Sequence, residues 1–164
     1  YLEPREGFVW SDPPEVNYVD THVFAKLKRM TILPSGVCTD GEFVRRAYLD
    51  ACGRLPTADE TRAFLADSDP KKRDRLVEKL VTRPEFADFW ALKWADVLRS
   101  TRKTIHAKGS YAFQHWLRDR LASGAGMDAV VRELLTASGN TYTNPPANYF
   151  RIAKDPQSLA EGTA

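Results

Sequence analysis

The chain has 164 residues, of which 43% are hydrophobic and 28% are charged, as in a soluble globular protein of about one domain. The 24 Lys and Arg residues nearly balance the 22 Asp and Glu residues, so the charge gives no indication of nucleic acid as a partner. No apolar run approaches the roughly 18 residues that a membrane-spanning helix needs, and we predict no membrane span.

The order of apolar residues predicts the elements. Residues 1–14 are proline-rich and aperiodic, which predicts an extended arm. From residue 15 onward, apolar residues recur at the three- and four-residue spacing of amphipathic helices. These stripes run from Val16 to Met30, Phe43 to Ala51, Phe64 to Leu65, Leu76 to Val81, Phe86 to Leu98, Phe113 to Leu121 and Met127 to Leu135. The sequence therefore predicts an all-α fold, an irregular bundle of about seven helices in a single domain over 15–164.

Four short motifs predict where helices begin. Residues 39–42 and 57–60 both spell T-x-x-E, the pattern of a capping box. Asp69-Pro70 and Asp155-Pro156 each predict an N-cap followed by proline at the first helical position. Because residues 156–164 hold only the first turns of that last helix, we expect the chain to be a fragment of a longer protein.

The two cysteines are not expected to form a disulfide. A helix over residues 40–52 would separate Cys38 from Cys52 by about 18 Å, whereas a disulfide needs Cα atoms within about 7 Å. No C-x-x-C pair or adjacent histidine completes a metal site around either thiol.

Large aromatic residues dominate one predicted helix face. Phe86, Trp90 and Trp94 lie at helical spacing, which is more typical of a hydrophobic core than of an aromatic platform for a sugar. We therefore predict that Trp90, Trp94 and Trp116 are substantially buried.

Signals for catalysis are weak. The histidines His22, His106 and His115 form no H-x-x-x-H pair, and His22 and His115 fit structural positions on amphipathic helices. There is no G-x-S-x-G motif and no glycine-rich phosphate loop. We predict no catalytic residue, no bound cofactor and no metal site for this chain alone.

A basic segment over residues 99–108 is the first candidate binding surface. It contains Arg99, Arg102, Lys103 and Lys108 and no acidic residue. Such a cluster can bind a sulfate, a carboxylate or a haem propionate. The other interpretation, which the composition favours, is a solvated loop between helices.

The stretch GNTYTNPPANYFRIAKDP, residues 139–156, is the second candidate. Its prolines and aromatics predict a long, ordered loop near the C-terminus, folded over the bundle with Tyr149 and Phe150 as anchors. In a functional interpretation, Asn144, Tyr149 and Arg151 help to receive the missing C-terminal segment of the chain, and Arg151 pairs with a carboxylate or propionate. In the alternative, the loop only bridges two helices.

Five blocks of sequence, taken in order, resemble those of a known protein family. They are VDTHVFAKLKRM, FVRRAYLDACGRLPTADETRAFLAD, RPEFADFWALKWADVLRS, KGSYAFQHWLRDRL and VRELLTASGNTYTNPPANYFRIAKDP. In this order the chain resembles, over roughly residues 16–164, the planctomycete cytochrome-associated (PSCyt) family of unknown function. The resemblance implies a large exported protein with a c-type cytochrome domain, and hence a periplasmic or secreted location. It also implies a C-x-x-C-H segment after the D-P helix, so haem c is expected on the full-length protein and not on this chain.

The resemblance leads to two functional hypotheses. The first is a non-catalytic helical scaffold or binding domain of an exported, cytochrome-associated, multidomain protein, with a cytochrome c domain or a polysaccharide as a partner. The alternative is a hydrolase-like enzyme acting on an anionic polysaccharide, with the basic segment 99–108 holding the substrate. A deep cleft with convergent carboxylates beside Arg102 and Lys103 would favour the enzyme.

Overall fold

A computed structural model describes the backbone of residues 6–163 and the side chains of residues 6–161. The chain falls into two compact units, Tyr1–Thr39 and Asp40–Ala164. The predicted division into an arm over 1–14 and one helical domain over 15–164 stays a prediction.

The described part of the chain contains helices and no strand, which confirms the predicted all-α fold. The helices are α1 Tyr18–Arg29, α2 Asp40–Cys52, α3 Ala58–Ala66, α4 Lys72–Val81, α5 Pro84–Val97, α6 Arg102–Ala122, α7 Met127–Thr136, a 3₁₀ turn Pro145–Asn148, α8 Tyr149–Ile152 and α9 Pro156–Thr163. The seven expected helices correspond to α1–α7. The C-terminal segment adds the 3₁₀ turn, α8 and α9.

The first unit contains a single helix, α1, whose start is fixed by a capping box. The side chain of Asn17 accepts a hydrogen bond from the Val19 N–H, and Asp20 accepts one from the Asn17 N–H. None of the residues of α1 is buried. Phe8, Trp10 and Phe24 form a chain of ring contacts within this unit.

The other start signals have different outcomes. Thr57 and Glu60 form the predicted capping box at α3. Asp155 accepts a hydrogen bond from the Ser158 N–H at the start of α9, as its D-P motif predicts. The prediction for Asp69-Pro70 is wrong, because the Asp69 carboxylate accepts from the Lys71 N–H and so closes a turn that delays α4 until Lys72.

Two hydrophobic clusters hold the second unit together. The first is built by α2, α3 and α4 and contains Val44, Tyr48, Cys52, Phe64, Leu76 and Leu80. The second is built by α5, α6, α7 and α8 and contains Ala91, Ala95, Ile105, Phe113, Trp116, Leu117, Val130, Leu134 and Tyr149. Cys52 belongs to the first cluster, and no disulfide joins it to Cys38, as predicted.

The most buried face of α5 is formed by alanines and not, as predicted, by Trp90 and Trp94. Its buried residues are Ala87, Ala91 and Ala95, whose small side chains let neighbouring helices approach closely. Trp90 and Trp94 are only half-buried, although Trp94 packs against the second cluster. Trp116 on α6 is buried as predicted and donates a hydrogen bond to Glu133 on α7.

In the described residues, no helix is both long and apolar enough to cross a membrane.

Candidate functional site

The basic segment is mostly helical, which corrects the prediction of a loop. Helix α6 begins at Arg102, because the Thr101 side chain caps its first turn, and it therefore includes Lys103 and Lys108. The helix is kinked at His106, which has a left-handed φ of 61°. Only residues 98–101 connect α5 to α6.

The four cations of this segment lie on the surface. Arg99, Arg102, Lys103 and Lys108 are all exposed, and none of them takes part in an ion pair within the described residues. Arg99 stands apart because it follows the last turn of α5 with a left-handed φ of 54°. This conformation ends the helix at the edge of the second cluster.

The C-terminal segment is ordered but is not a plain loop. The prolines begin the 3₁₀ turn, which runs directly into α8. Tyr149 is 3% exposed and serves as the predicted anchor, whereas Phe150 is 37% exposed. The prediction for Phe150 is wrong because consecutive residues of a helix point about 100° apart, and only one of the two can face the core.

A residue that the sequence did not single out, Asn148, fixes this segment. It is fully buried, and its amide group donates to the carbonyls of Thr141 and Pro145 at 2.9 and 3.0 Å. Its side-chain oxygen accepts from a guanidinium nitrogen of Arg151 at 3.3 Å. A buried polar group is stable only when it is bonded in this way, so Asn148 holds the 3₁₀ turn and Arg151 in one arrangement.

Gly109 explains how the segment can approach α6. An added Cβ at Gly109 would lie 3.0 Å from the Asn148 side-chain oxygen and 3.6 Å from an Arg151 nitrogen. A larger residue would push the 3₁₀ turn and α8 away from α6. Gly109 therefore lies where the 3₁₀ turn and α8 pack against α6. The sequence around Gly109 did not predict this contact.

A cavity of about 80 Å³ lies where the end of α5 meets the C-terminal segment. Val97, Leu98, Ile152 and Ala153 form apolar walls, and Arg99, Tyr149 and Ser158 also line it. This volume is larger than the roughly 15 Å³ of free space that one water needs. The cavity therefore has room for a small polar group or for the end of a larger ligand.

Two candidate residues from distant parts of the sequence meet in this cavity. Arg99 and Tyr149 both line it, whereas Asn144 is bonded to the Ser138 carbonyl and Arg151 is held by Asn148. Arg102, Lys103 and Lys108 are not among its lining residues.

Two buried hydroxyl groups in and next to the residues that line this cavity lack a hydrogen-bond partner in the described part of the chain. The Tyr149 hydroxyl and the neighbouring Ser100 hydroxyl are both buried without a hydrogen bond to any described residue. The Ser158 hydroxyl, in contrast, donates to Asp155, and bonds from the Ser158 N–H and hydroxyl lower the pKa of that carboxyl. A buried hydroxyl without a partner costs roughly 1–3 kcal/mol, so a ligand that accepts from it has an advantage.

A larger cleft of about 420 Å³ lies between α3 and α4, away from the basic segment. Aromatic and aliphatic side chains line it together with six charged residues, which are Asp59, Glu60, Asp67, Lys72, Arg75 and Lys79. Arg54 and Arg83 both contact Glu60 at 2.9 Å, and the hydrogen bond from Arg54 holds the pKa of Glu60 well below its usual range. The pKa of Asp67 is lowered by the Asp69 N–H. A general acid needs a raised pKa, so these two carboxylates suit ion pairing better than proton donation.

The remaining groups with catalytic potential have structural surroundings. Burial raises the pKa of the Cys52 thiol, which donates to the Leu80 carbonyl at 3.9 Å. Cys52 is packed in a core cluster, and the sequence contains no C-x-x-C-H motif, so the absence of haem c from this chain stays a prediction. His115 bonds the Tyr111 carbonyl one turn earlier. Over residues 6–161, no group of three or more His, Cys, Asp and Glu side chains is placed to hold a metal ion.

Comparison with known protein families assigns the chain to one of them. A family model, PSCyt2, described as a protein of unknown function (DUF1549), matches residues 18–162, and the chain belongs to this family. Neither the search of curated proteins nor the search of solved structures returns a match.

Proposed function

We propose that this PSCyt2 chain is a non-catalytic helical binding domain whose Arg99–Tyr149 cavity receives a carboxylate group of a partner. We further propose that it serves in an exported, cytochrome-associated, multidomain protein located in the periplasm or outside the cell. This second part rests on the resemblance of the five sequence blocks to that family.

The observation that carries the proposal is a cavity lined by both an unpaired cation and a tyrosine whose hydroxyl is buried without a partner among the described residues. Arg99 lines the cavity without an ion-pair partner in the described residues, and the Tyr149 hydroxyl is buried without an acceptor. A carboxylate accepts hydrogen bonds from both kinds of group and neutralises the guanidinium charge. Among the described residues that line the cavity, Arg99 is charged and none is acidic; the carboxylate of Asp155 is bonded to the lining residue Ser158 at 2.7 Å.

Two sources supply such a carboxylate. A haem c group carries two propionates, which fits a cytochrome domain as the partner, with haem c bound by that domain and not by this chain. An acidic polysaccharide carries a carboxylate on each uronate residue. Both have the same chemistry at the cavity, and the experiment separates them.

The experiment is a titration of the ¹⁵N-labelled chain followed by amide chemical shifts. Propionate and its neutral analogue propanamide test the carboxylate itself. A haem peptide that retains its propionates and an oligogalacturonate then represent the two sources. Arg99→Ala is compared with Arg102→Ala, a matched exposed arginine that lies outside the cavity lining.

We expect propionate to bind weakly, with a Kd of about 1 mM, as is usual for a ligand of this size. Arg99→Ala should weaken that binding about tenfold, which corresponds to one charge-assisted contact. Arg102→Ala and propanamide are the controls. Equal binding of propionate and propanamide, or equal loss in the two arginine variants, would contradict the proposal.

The alternative enzymatic function is tested by the same oligogalacturonate. A hydrolase that acts on anionic polysaccharide would shorten this probe, and the products would appear in its proton spectrum. A binding domain would shift amide signals near Arg99 and leave the probe intact.

A further inference from the structure

Helix α7 carries an apolar stripe that faces away from the core. Met127, Val131 and Leu135 are 38, 44 and 44% exposed and repeat every fourth residue. The same helix buries Val130 and Leu134 in the second cluster. One side of α7 is therefore used for folding, and an adjacent side leaves large apolar side chains on the surface.

The stripe continues into an apolar groove. Met127 and Val131 form one wall together with other residues of α7, and Trp94 and Leu98 of α5 face them. Every residue that lines this groove is apolar. Exposed apolar surface of this kind is typical of an interaction site.

A row of charge runs along the other edge of the stripe. Asp128 and Arg132 are both exposed and lie four residues apart, about 60–100° around the helix from Val131 at 100° per residue. Neither takes part in an ion pair within the part of the chain that is described. The edge thus presents one negative and one positive charge, in that order along α7.

We propose that a second copy of this chain covers the stripe, with the two α7 helices antiparallel about a twofold axis at Val131. In this arrangement Met127 lies opposite the partner's Leu135. The axis is perpendicular to both helices, so the two charged rows lie on the same edge of the interface. Asp128 then faces the partner's Arg132, and Arg132 faces the partner's Asp128.

The spacing of the charges fits this register. At 1.5 Å rise per residue, Asp128 is about 4.5 Å from the axis, and the partner's Arg132 is about 1.5 Å from it on the same side. The offset of about 3 Å is within the reach of an arginine side chain. A parallel pair of α7 helices would place the two rows on opposite edges and would form no such contact.

The interface is small, which sets the expected strength. A helix of ten residues is about 15 Å long and covers less than the roughly 800 Å² per partner of a standard interface. We therefore expect a weak dimer, half-formed at about 10–100 µM chain, which is a concentration range for transient association.

The test is sedimentation equilibrium of the 164-residue chain across that concentration range. Val131→Glu should abolish the dimer, whereas Val77→Glu, on α4 with a similar exposure of 46%, should leave it unchanged. Asp128→Arg or Arg132→Asp alone places like charges opposite each other and should weaken association about tenfold or more. The double variant restores opposite charges in both pairs and should dimerise like the parent. Thermal melts of all variants confirm that they are folded.

The charge exchange keeps the test decisive even if Val131→Glu unfolds the chain. A monomeric parent at every concentration would overturn the proposal, as would a double variant that associates no better than either single variant. A dimer of equal strength in the parent and in folded Val131→Glu would place the interface elsewhere. Binding of the stripe to a different protein, with the parent still monomeric, would assign the surface to another partner and would also overturn it.

Discussion

Ion pairs border both hydrophobic clusters of the second unit, including Arg118 with Asp88 and Arg120 with Glu133 around α5–α8, but only the α5–α8 region also has buried polar groups without a described partner. Around α2–α4, carboxylates and cations are joined in short contacts, such as Glu60 with Arg54 and Arg83, each at 2.9 Å. Asp40 contacts Lys72 and Arg73 in the same way. Around α5–α8, three buried polar groups have no partner among the described residues. These are the Trp90 indole nitrogen, the Ser100 hydroxyl and the Tyr149 hydroxyl.

This difference separates a region built for stability from one suited to binding. Paired charges cost little to keep folded, and they cross-link α2, α3, α4 and the start of α5. Unpaired buried groups cost free energy, and such groups concentrate where a ligand can bond them. The cleft between α3 and α4, in the region of paired charges, is larger than the cavity lined by Arg99 and Tyr149. Cavity volume alone would therefore favour the site that is less suited to binding an anion.

The largest expected effect is at Asn148, the one buried polar residue of the α5–α8 region with a full set of bonds. Asn148→Ala should lower the free energy of unfolding by about 3 kcal/mol, because the carbonyls of Thr141 and Pro145 lose their donor. Asn144→Ala, which removes one bond from a half-buried side chain, should cost about 1 kcal/mol. Urea unfolding measures both. A smaller loss for Asn148 than for Asn144 would show that the 3₁₀ turn does not depend on it.

Gly109→Ala is expected to cost about 2 kcal/mol, because the new methyl group presses on the Asn148 side chain. Gly41→Ala, in α2, meets nothing within 4 Å and should stabilise the chain by about 0.5–1 kcal/mol through its helix propensity. The same substitution thus changes stability in opposite directions in the two regions. Thermal melts of the two variants check the sign, and a stabilised Gly109→Ala would mean that α6 and the 3₁₀ turn are not in close contact.

Glu60→Gln should lower stability by about 1.5 kcal/mol near neutral pH, because a charged acceptor of two arginines becomes neutral. Its pH dependence follows from a lowered folded-state pKa. The contribution is complete above the ordinary value near 4.5 and is lost as the pH falls through the folded-state pKa. The difference between parent and variant should therefore shrink steadily below about pH 5.

Glu85 contributes to the same acid loss, since Arg83 lowers its pKa to about 2. It remains in the Glu60→Gln variant, so some dependence on pH persists below about pH 5. Asp59→Asn is the control, because its pair with Arg62 is almost fully exposed and should contribute within about 0.5 kcal/mol. A Glu60→Gln loss that stays constant down to about pH 2 would contradict the assigned pairing.

The smallest effect on stability is expected from a matched pair of tyrosines. Tyr48 and Tyr149 are 2 and 3% exposed, but burial, together with the charge of the Glu60 carboxylate beside it, raises the pKa of Tyr48, whereas the Tyr149 hydroxyl has no described partner. Tyr48→Phe should cost about 1 kcal/mol, whereas Tyr149→Phe should leave stability unchanged or raise it by up to about 1 kcal/mol. Equal losses in urea unfolding would mean that the Tyr149 hydroxyl does have a partner in solution.

Much of this architecture follows from local sequence. The apolar stripes of α1–α7 and the Thr57–Glu60 capping box predict helices because those interactions lie within one or two turns. The N-cap prediction at Asp69-Pro70 was wrong because an aspartate side chain can either cap a helix or close a turn. Here the Asp69 carboxylate accepts from the Lys71 N–H and closes a turn. The choice depends on where neighbouring helices place α4.

The candidate site could be predicted only in parts. Arg99 and Tyr149 each stood out by composition, but their meeting depends on how the C-terminal segment folds onto α5 and α6. Gly109 and Asn148 gave no local signal, because close approach and polar burial appear only when α6 and the 3₁₀ turn are in contact. Lys103 and Lys108 looked similar to Arg99 in sequence, yet both lie on the exposed surface of α6, one on each side of the kink at His106.

The proposed division of roles is tested most directly by propionate binding to the two tyrosine variants. Tyr149→Phe should weaken binding about threefold to tenfold, the usual loss for one hydrogen bond, while its unfolding free energy stays at or above that of the parent. Tyr48→Phe should bind propionate like the parent although it is less stable. Unchanged affinity in Tyr149→Phe, or an equal loss of affinity in both variants, would show that the unpartnered hydroxyl does not mark a binding site.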